Sequence, residues 1–299
     1  MSNVRIETLD RRIKWALLVV SLATLGVLAV AALKENVFAP WRQTRLQYAH
    51  ILQQKATDER GRALADQFRV EIAQNVVPEL NETVDRCITC HAGIDDPRML
   101  DQENPYKAHP GDFLLNHPPE KFGCTICHRG QGRALVFDEV KGEGHHWDFP
   151  LLPKNLTQAS CGACHAPDEV AQNGGEAYAL GKELFESRGC VGCHKLNGRG
   201  GSVGPALDAV GRKLTGQLPM AHVDGPRTLP QWLKEHFDDP QKIVADSQMK
   251  PPQLTPEENE ALTIYMLSLQ GLDLPDSYIS PRKHLETYQI AFPAERSGE

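Results

Sequence analysis

Nothing in this chain is left over to make a disulfide. Its 299 residues hold 8 cysteines, and all of them fall in four C-x-x-C pairs, whose members sit too close together to make useful cross-links. Aromatic side chains are scarce, at 6%, and the mean hydropathy is −0.41. Both values are poor for a large core built from side chains alone. Positive charge is in deficit: 32 Lys and Arg against 39 Asp and Glu give a formal charge of −7. That balance argues against a nucleic-acid partner and leaves a basic or neutral protein partner open. There is no βαβ pattern beside the cysteine pairs, which removes a thioredoxin-type reading.

What is present is a repeated five-residue unit. It reads Cys87-Ile-Thr-Cys90-His91, Cys124-Thr-Ile-Cys127-His128, Cys161-Gly-Ala-Cys164-His165 and Cys190-Val-Gly-Cys193-His194. C-x-x-C pairs also build zinc ribbons, but zinc has no need of a histidine directly after every pair. Covalent haem does. Two thiols add across the two vinyl groups of one haem, and the next residue is placed to ligate the iron. The sequence therefore calls for four covalently bound haem c groups. Porphyrins supply apolar mass, which answers the shortage of aromatic side chains. The first three motifs start 37 residues apart (124−87 and 161−124), but the residues between them do not match, so no repeat is inferred.

The expected fold is mainly α with much irregular loop. Residues 1–14 form a basic N-terminus with Arg5, Arg11, Arg12 and Lys14. Residues 15–33, Trp15 to Leu33, are uncharged and mostly apolar, long enough for one transmembrane helix. The positive flank stays in the cytoplasm and the rest is exported, so the haem domains of a bacterial inner-membrane protein would face the periplasm. A cleaved signal peptide is the alternative, with Ala29-Val30-Ala31 as the small-residue site. Residues 34–80 read as a connector of one or two helices that lean on the first haem. Its apolar residues Trp41, Leu46, Ile51, Ala63 and Phe68 look scattered, and Gly61 is a candidate break. Residues 81–173 form a loop-rich triheme module, dense in Pro, Gly, His and Asp.

Residues 174–271 change character. A helix from Gly175 to Ser187 ends at Gly189, and a second covers Leu229 to Phe237. Prolines keep the chain extended near Met249-Lys-Pro-Pro. Thr255-Pro256-Glu257-Glu258 then opens a last helix that Gly271 stops. Residues 272–299 are a tail with no clear signal, expected to wrap a partner or the triheme region.

This segment resembles a class I cytochrome c domain, all-α. The matching pieces come in order: helix, Cys190-x-x-Cys193-His194, Gly204-Pro205-x-Leu207, then Met249 before a C-terminal helix. The resemblance implies His194 and Met249 as axial ligands, with the Pro205 carbonyl accepting from the ligand histidine; Met220 is the second choice to Met249. The stretch from Asp85-Arg86-Cys87 to His165 is similar to multihaem cytochromes that accompany bacterial quinol-oxidising cytochrome b-type complexes. It carries His109-Pro-Gly-Asp112, His117-Pro-Pro-Glu-Lys-Phe-Gly-Cys124, His128-Arg-Gly-Gln-Gly132 and His146-Trp147.

Four six-coordinate irons need four distal ligands. With Met249 on the fourth, His109, His117 and His146 are the choices for the first three, and Met99 is an alternative for the first. His50 reads as a surface or packing histidine, with a distal haem ligand as the alternative, and the remaining histidines read as surface residues or propionate partners. Trp147 is placed to pack against a porphyrin face. A chain that fills every iron carries electrons and does no bond chemistry on a substrate. The expected role is electron transfer from a quinol-oxidising membrane complex, through three lower-potential haems and a His/Met haem, to a periplasmic acceptor such as a soluble cytochrome. Two other classes stay open. One is a peroxidase- or reductase-like haem enzyme with one open iron. The other is an electron shuttle whose last module swings on a linker at Asn173-Gly174-Gly175.

Overall fold

A computed structural model describes residues 2–142 and 147–284. Most of the described chain that is regular is helical. Its contacts divide it into two compact units. Unit 1 holds Met1–Asn75 and Arg86–His117, and unit 2 holds Val76–Asp85 and Pro118–Glu299. This division does not follow the boundaries expected at 80/81 and 173/174. The first C-x-x-C-H motif belongs to unit 1, and the other three share unit 2.

In unit 1, α1 runs Ser2–Asn36 without a break. At 1.5 Å per residue it is about 50 Å long, more than the roughly 30 Å of a bilayer's hydrocarbon. Its apolar residues face outward: Leu17, Val20, Leu25, Val27 and Val30 are all more than half exposed. The helix is long and apolar enough to cross a membrane.

Helix α2 covers Pro40–Lys55 and α3 covers Glu59–Gln67. The break falls at residues 56–58 and not at Gly61. Asp58 caps α3 by accepting from the Gly61 amide at 2.6 Å, so this glycine sits in the first turn, where its cost is small. The connector also has a clear buried stripe. Arg45, Tyr48, Ile51 and Leu52 are buried on one face of α2, while Leu46 is half exposed. The stripe was hard to see because two of its four members are arginine and tyrosine. Tyr48 packs with Ala65, Ala108 and Met99. Met99, fully buried in this cluster, is core filler, so it is withdrawn as an alternative ligand. Two short helices complete the unit, α4 at Cys87–Cys90 and α5 at Phe113–Asn116.

Unit 2 is built of short pieces until its last third. Strands β1 (Asn75–Val77) and β2 (Thr83–Asp85) pair. Then come α6 (Pro119–Phe122), α7 (Thr125–His128), α8 (Phe137–Lys141), a 3-10 helix at Lys154–Ala163 and α9 (Pro167–Ala171). The longer helices are α10 (Glu176–Ser187), α11 (Leu229–Asp238) and α13 (Pro256–Ser268), with the short α12 at Pro240–Ile243. Between α10 and α11 a two-residue ribbon pairs β3 (Lys195–Leu196) with β4 (Arg199–Gly200), so the segment expected to be all-α carries one small antiparallel turn.

Helix α13 is the centre of this unit. Thr255 and Glu258 cap it reciprocally: Thr255 Oγ1 accepts from the Glu258 amide, and a Glu258 carboxylate oxygen accepts from the Thr255 amide at 2.9 Å. Every residue from Ala261 to Ser268 is buried. Helix α10 crosses it with no room to spare: a Cβ on Gly181 would stand 2.0 Å from the Ala261 carbonyl oxygen. Only glycine lets the two backbones meet this way. Phe185 and Tyr265 pack beside the crossing at 5.4 Å between ring centroids. On another side of α13 lies the 3-10 helix, whose Leu156 and Ala159 join the same core.

The segment 173–175 is not a free linker. The Gly175 amide donates to the Val170 carbonyl at 2.9 Å, and a Cβ on Gly175 would strike the Val170 side chain at 2.3 Å. With the 3-10 helix seated on α13 as well, the swinging-module reading is withdrawn. The described part of the tail, residues 272–284, wraps the second and third motifs. Tyr278 donates to the Lys121 carbonyl at 2.7 Å and packs edge-on to Phe122. The Ser280 amide donates to the Cys164 carbonyl at 2.8 Å, and Arg282 pairs with Asp168.

Candidate functional site

Each motif folds as one tight turn, so that its histidine amide returns to the first cysteine's carbonyl. The distances are 2.8 Å for His91 to Cys87, 2.9 Å for His128 to Cys124, 2.9 Å for His165 to Cys161 and 3.0 Å for His194 to Cys190. This turn holds two thiols and an imidazole in one fixed arrangement, the geometry that covalent haem attachment uses.

The first motif is held from α2. The Arg45 guanidinium donates to the carbonyls of Arg69, Ile88 and Thr89, and lies 4.5 Å over the Phe68 ring. Burial pulls its pKa down. Thr89, fully buried, exchanges hydrogen bonds with both backbone groups of Ala73. Burial lowers the His91 pKa, opposed by a bond to the Pro105 backbone. His109 and His117 share this unit. His109 Nδ1 lies 2.9 Å from the Pro110 carbonyl, and His117 Nδ1 lies 3.1 Å from the Phe113 carbonyl. His50 is engaged with Gln54 on the exposed side of α2.

The second motif is anchored by a residue that the sequence reading passed over. Asp85 is fully buried, and one of its carboxylate oxygens accepts from the Cys124 and Thr125 amides at 2.7 and 2.8 Å. The third motif lies against the second. Desolvation and the neighbouring Cys161, Cys164 and Cys124 thiols raise the Cys127 pKa to about 12. Helix α7, which carries the second motif, packs on the 3-10 helix Lys154–Ala163, which carries Cys161. In the third motif, Glu169 gathers the Ala166 amide at 2.9 Å and the Ser280 hydroxyl at 2.6 Å, and lies 3.7 Å from His165 Nδ1. His146 lies outside the described residues, as does His145. Trp147 covers Gly142 and donates to the Phe149 carbonyl at 2.9 Å.

The fourth motif is the most complete. His194 Nδ1 is 2.8 Å from the Pro205 carbonyl. A Cβ on Gly204 would come within 2.4 Å of the His194 ring, so glycine keeps the imidazole where it is. Met249 is half-buried at the edge of the core, and its carbonyl accepts from Gln241 at 2.7 Å. Met220 packs against the same core.

Two buried donors test whether this cradle fits a haem. Trp232 and His236 stack at 4.5 Å one helical turn apart on α11. Trp232 Nε1 and His236 Nδ1 are buried with no hydrogen-bond partner among the described residues. Burying such atoms unpaired is costly, and a bound group with carboxylates would satisfy them. Desolvation, then the charge of His194, lowers the His236 pKa to about 4. The residues fit haem c. The Trp232-x-x-x-His236 spacing was the available signal for this pair, since residues four apart share a helix face.

The family model for cytochrome c matches residues 178–270. A cytochrome c oxidase subunit 2 from Alkalihalophilus pseudofirmus is 30% identical over 139 residues, 45% of this chain. The match spans 38% of that protein, so it reports on a shared part only. No solved structure matches the chain. Residues 178–270 are therefore a cytochrome c domain, with the covalent haem c and electron-transfer role that such a domain implies.

Proposed function

We propose that the chain is a tetrahaem c-type cytochrome, anchored by α1 in a bacterial inner membrane with its haem units in the periplasm. The bound haems supply one-electron carriers. Cys87/Cys90, Cys124/Cys127, Cys161/Cys164 and Cys190/Cys193 would hold them covalently, and His91, His128, His165 and His194 would ligate the irons. His194 and Met249 complete the fourth site. His109, His117 and His146 are the distal residues offered to the others.

One observation carries this reading. Three C-x-x-C-H turns lie in one compact unit, with the helix of the second packed on the 3-10 helix that carries Cys161 of the third. Such packing serves transfer between neighbouring carriers and has no evident use for isolated metal sites. Methionine ligation raises a haem's potential relative to bis-histidine ligation. Electrons therefore enter through the first three haems and leave through the His194/Met249 haem. The donor is a quinol-oxidising cytochrome b-type complex and the acceptor a periplasmic redox protein such as a soluble cytochrome. A relative named as an oxidase subunit accords with a place in a membrane respiratory chain.

Isolation of membranes in mild detergent tests the partner. The chain is expected to co-migrate with b-type haem. Recovery of the chain alone, at full yield and with an unaltered spectrum, would contradict the complex.

One observation favours a second reading, an enzyme with an open iron. His109 and His117 both belong to the unit that holds only the first motif. That distribution makes the distal ligands of the second and third haems the point to test.

A further inference from the structure

The first motif is fastened to the candidate membrane helix by a path with no loose segment. Helix α1 ends at Asn36 and α2 begins at Pro40. The residues between them are held from both sides. The Val37 and Phe38 amides donate back to the Leu33 carbonyl at 2.9 and 3.1 Å, which closes the last turn of α1. Ala39 is buried, and its carbonyl accepts from the Arg42 and Gln43 amides at 3.1 and 3.3 Å, which opens α2. The exposed side chains of Val37 and Phe38 carry the apolar surface of α1 up to this joint. Even with residues 36–40 fully extended and 40–45 helical, Arg45 stays within about 20 Å of the end of α1.

Helix α2 then carries the first haem-binding turn. Near its start, Arg45 donates to the carbonyls of Ile88 and Thr89, the two residues between Cys87 and Cys90. In its middle, Tyr48 lies against the chain just after His91: a Cβ on Gly93 would stand 2.9 Å from the Tyr48 ring and 2.6 Å from the Tyr106 carbonyl oxygen. At its end, Lys55 pairs with both oxygens of Asp101 at 2.7 and 2.8 Å. The last pair is largely exposed on the acid's side and contributes little. The buried contacts of Arg45 and Tyr48 set the position. Unit 1 thus contains the candidate membrane helix and the first motif without the other three.

A short structured link keeps a carrier at high effective concentration beside a partner in the same bilayer. We infer that the first haem is the entry haem: held close to the membrane through α2, it takes the electron from a membrane-embedded donor before the second and third haems do. This rests on the membrane-anchored tetrahaem reading and narrows its entry step from three haems to one. One electron passes to the ferric iron ligated by His91, and the donor, a one-electron carrier in the bilayer, is oxidised. No bond is made or broken.

The test uses membranes containing the full-length chain, a short-chain quinol as reductant and dithionite as reference. The unaltered protein is the control. Fewer than four haems by intact mass, or no reduction of c-type haem by quinol, would defeat the reading beneath the inference, and the inference with it. With that control passed, Cys87→Ser/Cys90→Ser is expected to slow quinol-driven reduction of the remaining three haems by roughly tenfold or more, as loss of a tethered carrier should. Dithionite still reduces all three. Reduction by quinol at the unaltered rate would overturn the inference. A second variant leaves every motif intact and inserts about twelve Gly and Ser residues between Phe38 and Ala39, a flexible coil in place of the joint. It is expected to keep four haems and the dithionite-reduced spectrum, and to slow reduction by quinol. An unaltered rate there would also overturn the inference, because the joint would then do nothing to hold the first haem at its donor.

Discussion

Replacing both cysteines of any one motif by serine is expected to remove exactly one haem of four, as read by intact mass and by the haem absorbance per chain. The consequences for folding differ between the motifs. Cys87→Ser/Cys90→Ser strips a unit that has its own side-chain cluster around Tyr48, Ile51, Leu52 and Met99, and that retains the Arg45 bonds to the motif backbone. The protein should therefore accumulate with three haems. Cys190→Ser/Cys193→Ser acts on the cytochrome c domain in unit 2. It leaves Trp232 Nε1 and His236 Nδ1 buried without a partner among the described residues, at a cost of about 1–3 kcal/mol for each unsatisfied group. It also removes the apolar mass against which half-buried Met249 and Met220 would rest. That variant is expected to lose much of its stability and its yield. A motif whose double replacement left the mass unchanged would bind no haem, and the count would fall accordingly.

The second large effect is on potential. Met249→Ala is expected to lower the highest of the four midpoint potentials by on the order of 0.1–0.3 V, within the roughly 0.8 V range that axial ligation governs. Met220→Ala should leave that potential near its original value. The ordering follows from position. Gln241 donates to the carbonyls of Ser247 and Met249, and the Met249 amide donates to Ser247 Oγ, so the loop before α13 presents this one methionine in a fixed place. A titration in which Met220→Ala moved the potential and Met249→Ala did not would exchange the two residues. Downhill flow from the first three haems depends on this assignment, since it rests on a methionine-ligated haem at the exit.

The parts of the molecule legible in the sequence were those written in local chemistry. The four C-x-x-C-H turns needed no tertiary context. Neither did the uncharged run inside α1, the Thr255-Pro256 start of α13, or the stop at Gly189, which adopts φ +72°. Long-range pairing was not legible. Asp85 looks like any acidic residue ahead of a cysteine until it is buried against the amides of Cys124 and Thr125, 39 and 40 residues on. The stripe on α2 was hidden by its use of Arg45 and Tyr48 as buried residues. The tail offered no periodicity because it is held by single bonds, such as Ser280 to Cys164, and by the ring of Tyr278. Gly61 misled for the opposite reason: a local breaker was neutralised by a local cap.

The measurement that bears most directly on the carrier reading is a carbon monoxide difference spectrum of the fully reduced, purified protein with its full haem complement. Carbon monoxide needs a vacant or labile iron position. Six-coordinate irons throughout give no spectral change, which is the result expected if His109, His117, His146 and Met249 fill the four distal sites. Stoichiometric binding at one haem would contradict the account and identify a site for a small-molecule substrate.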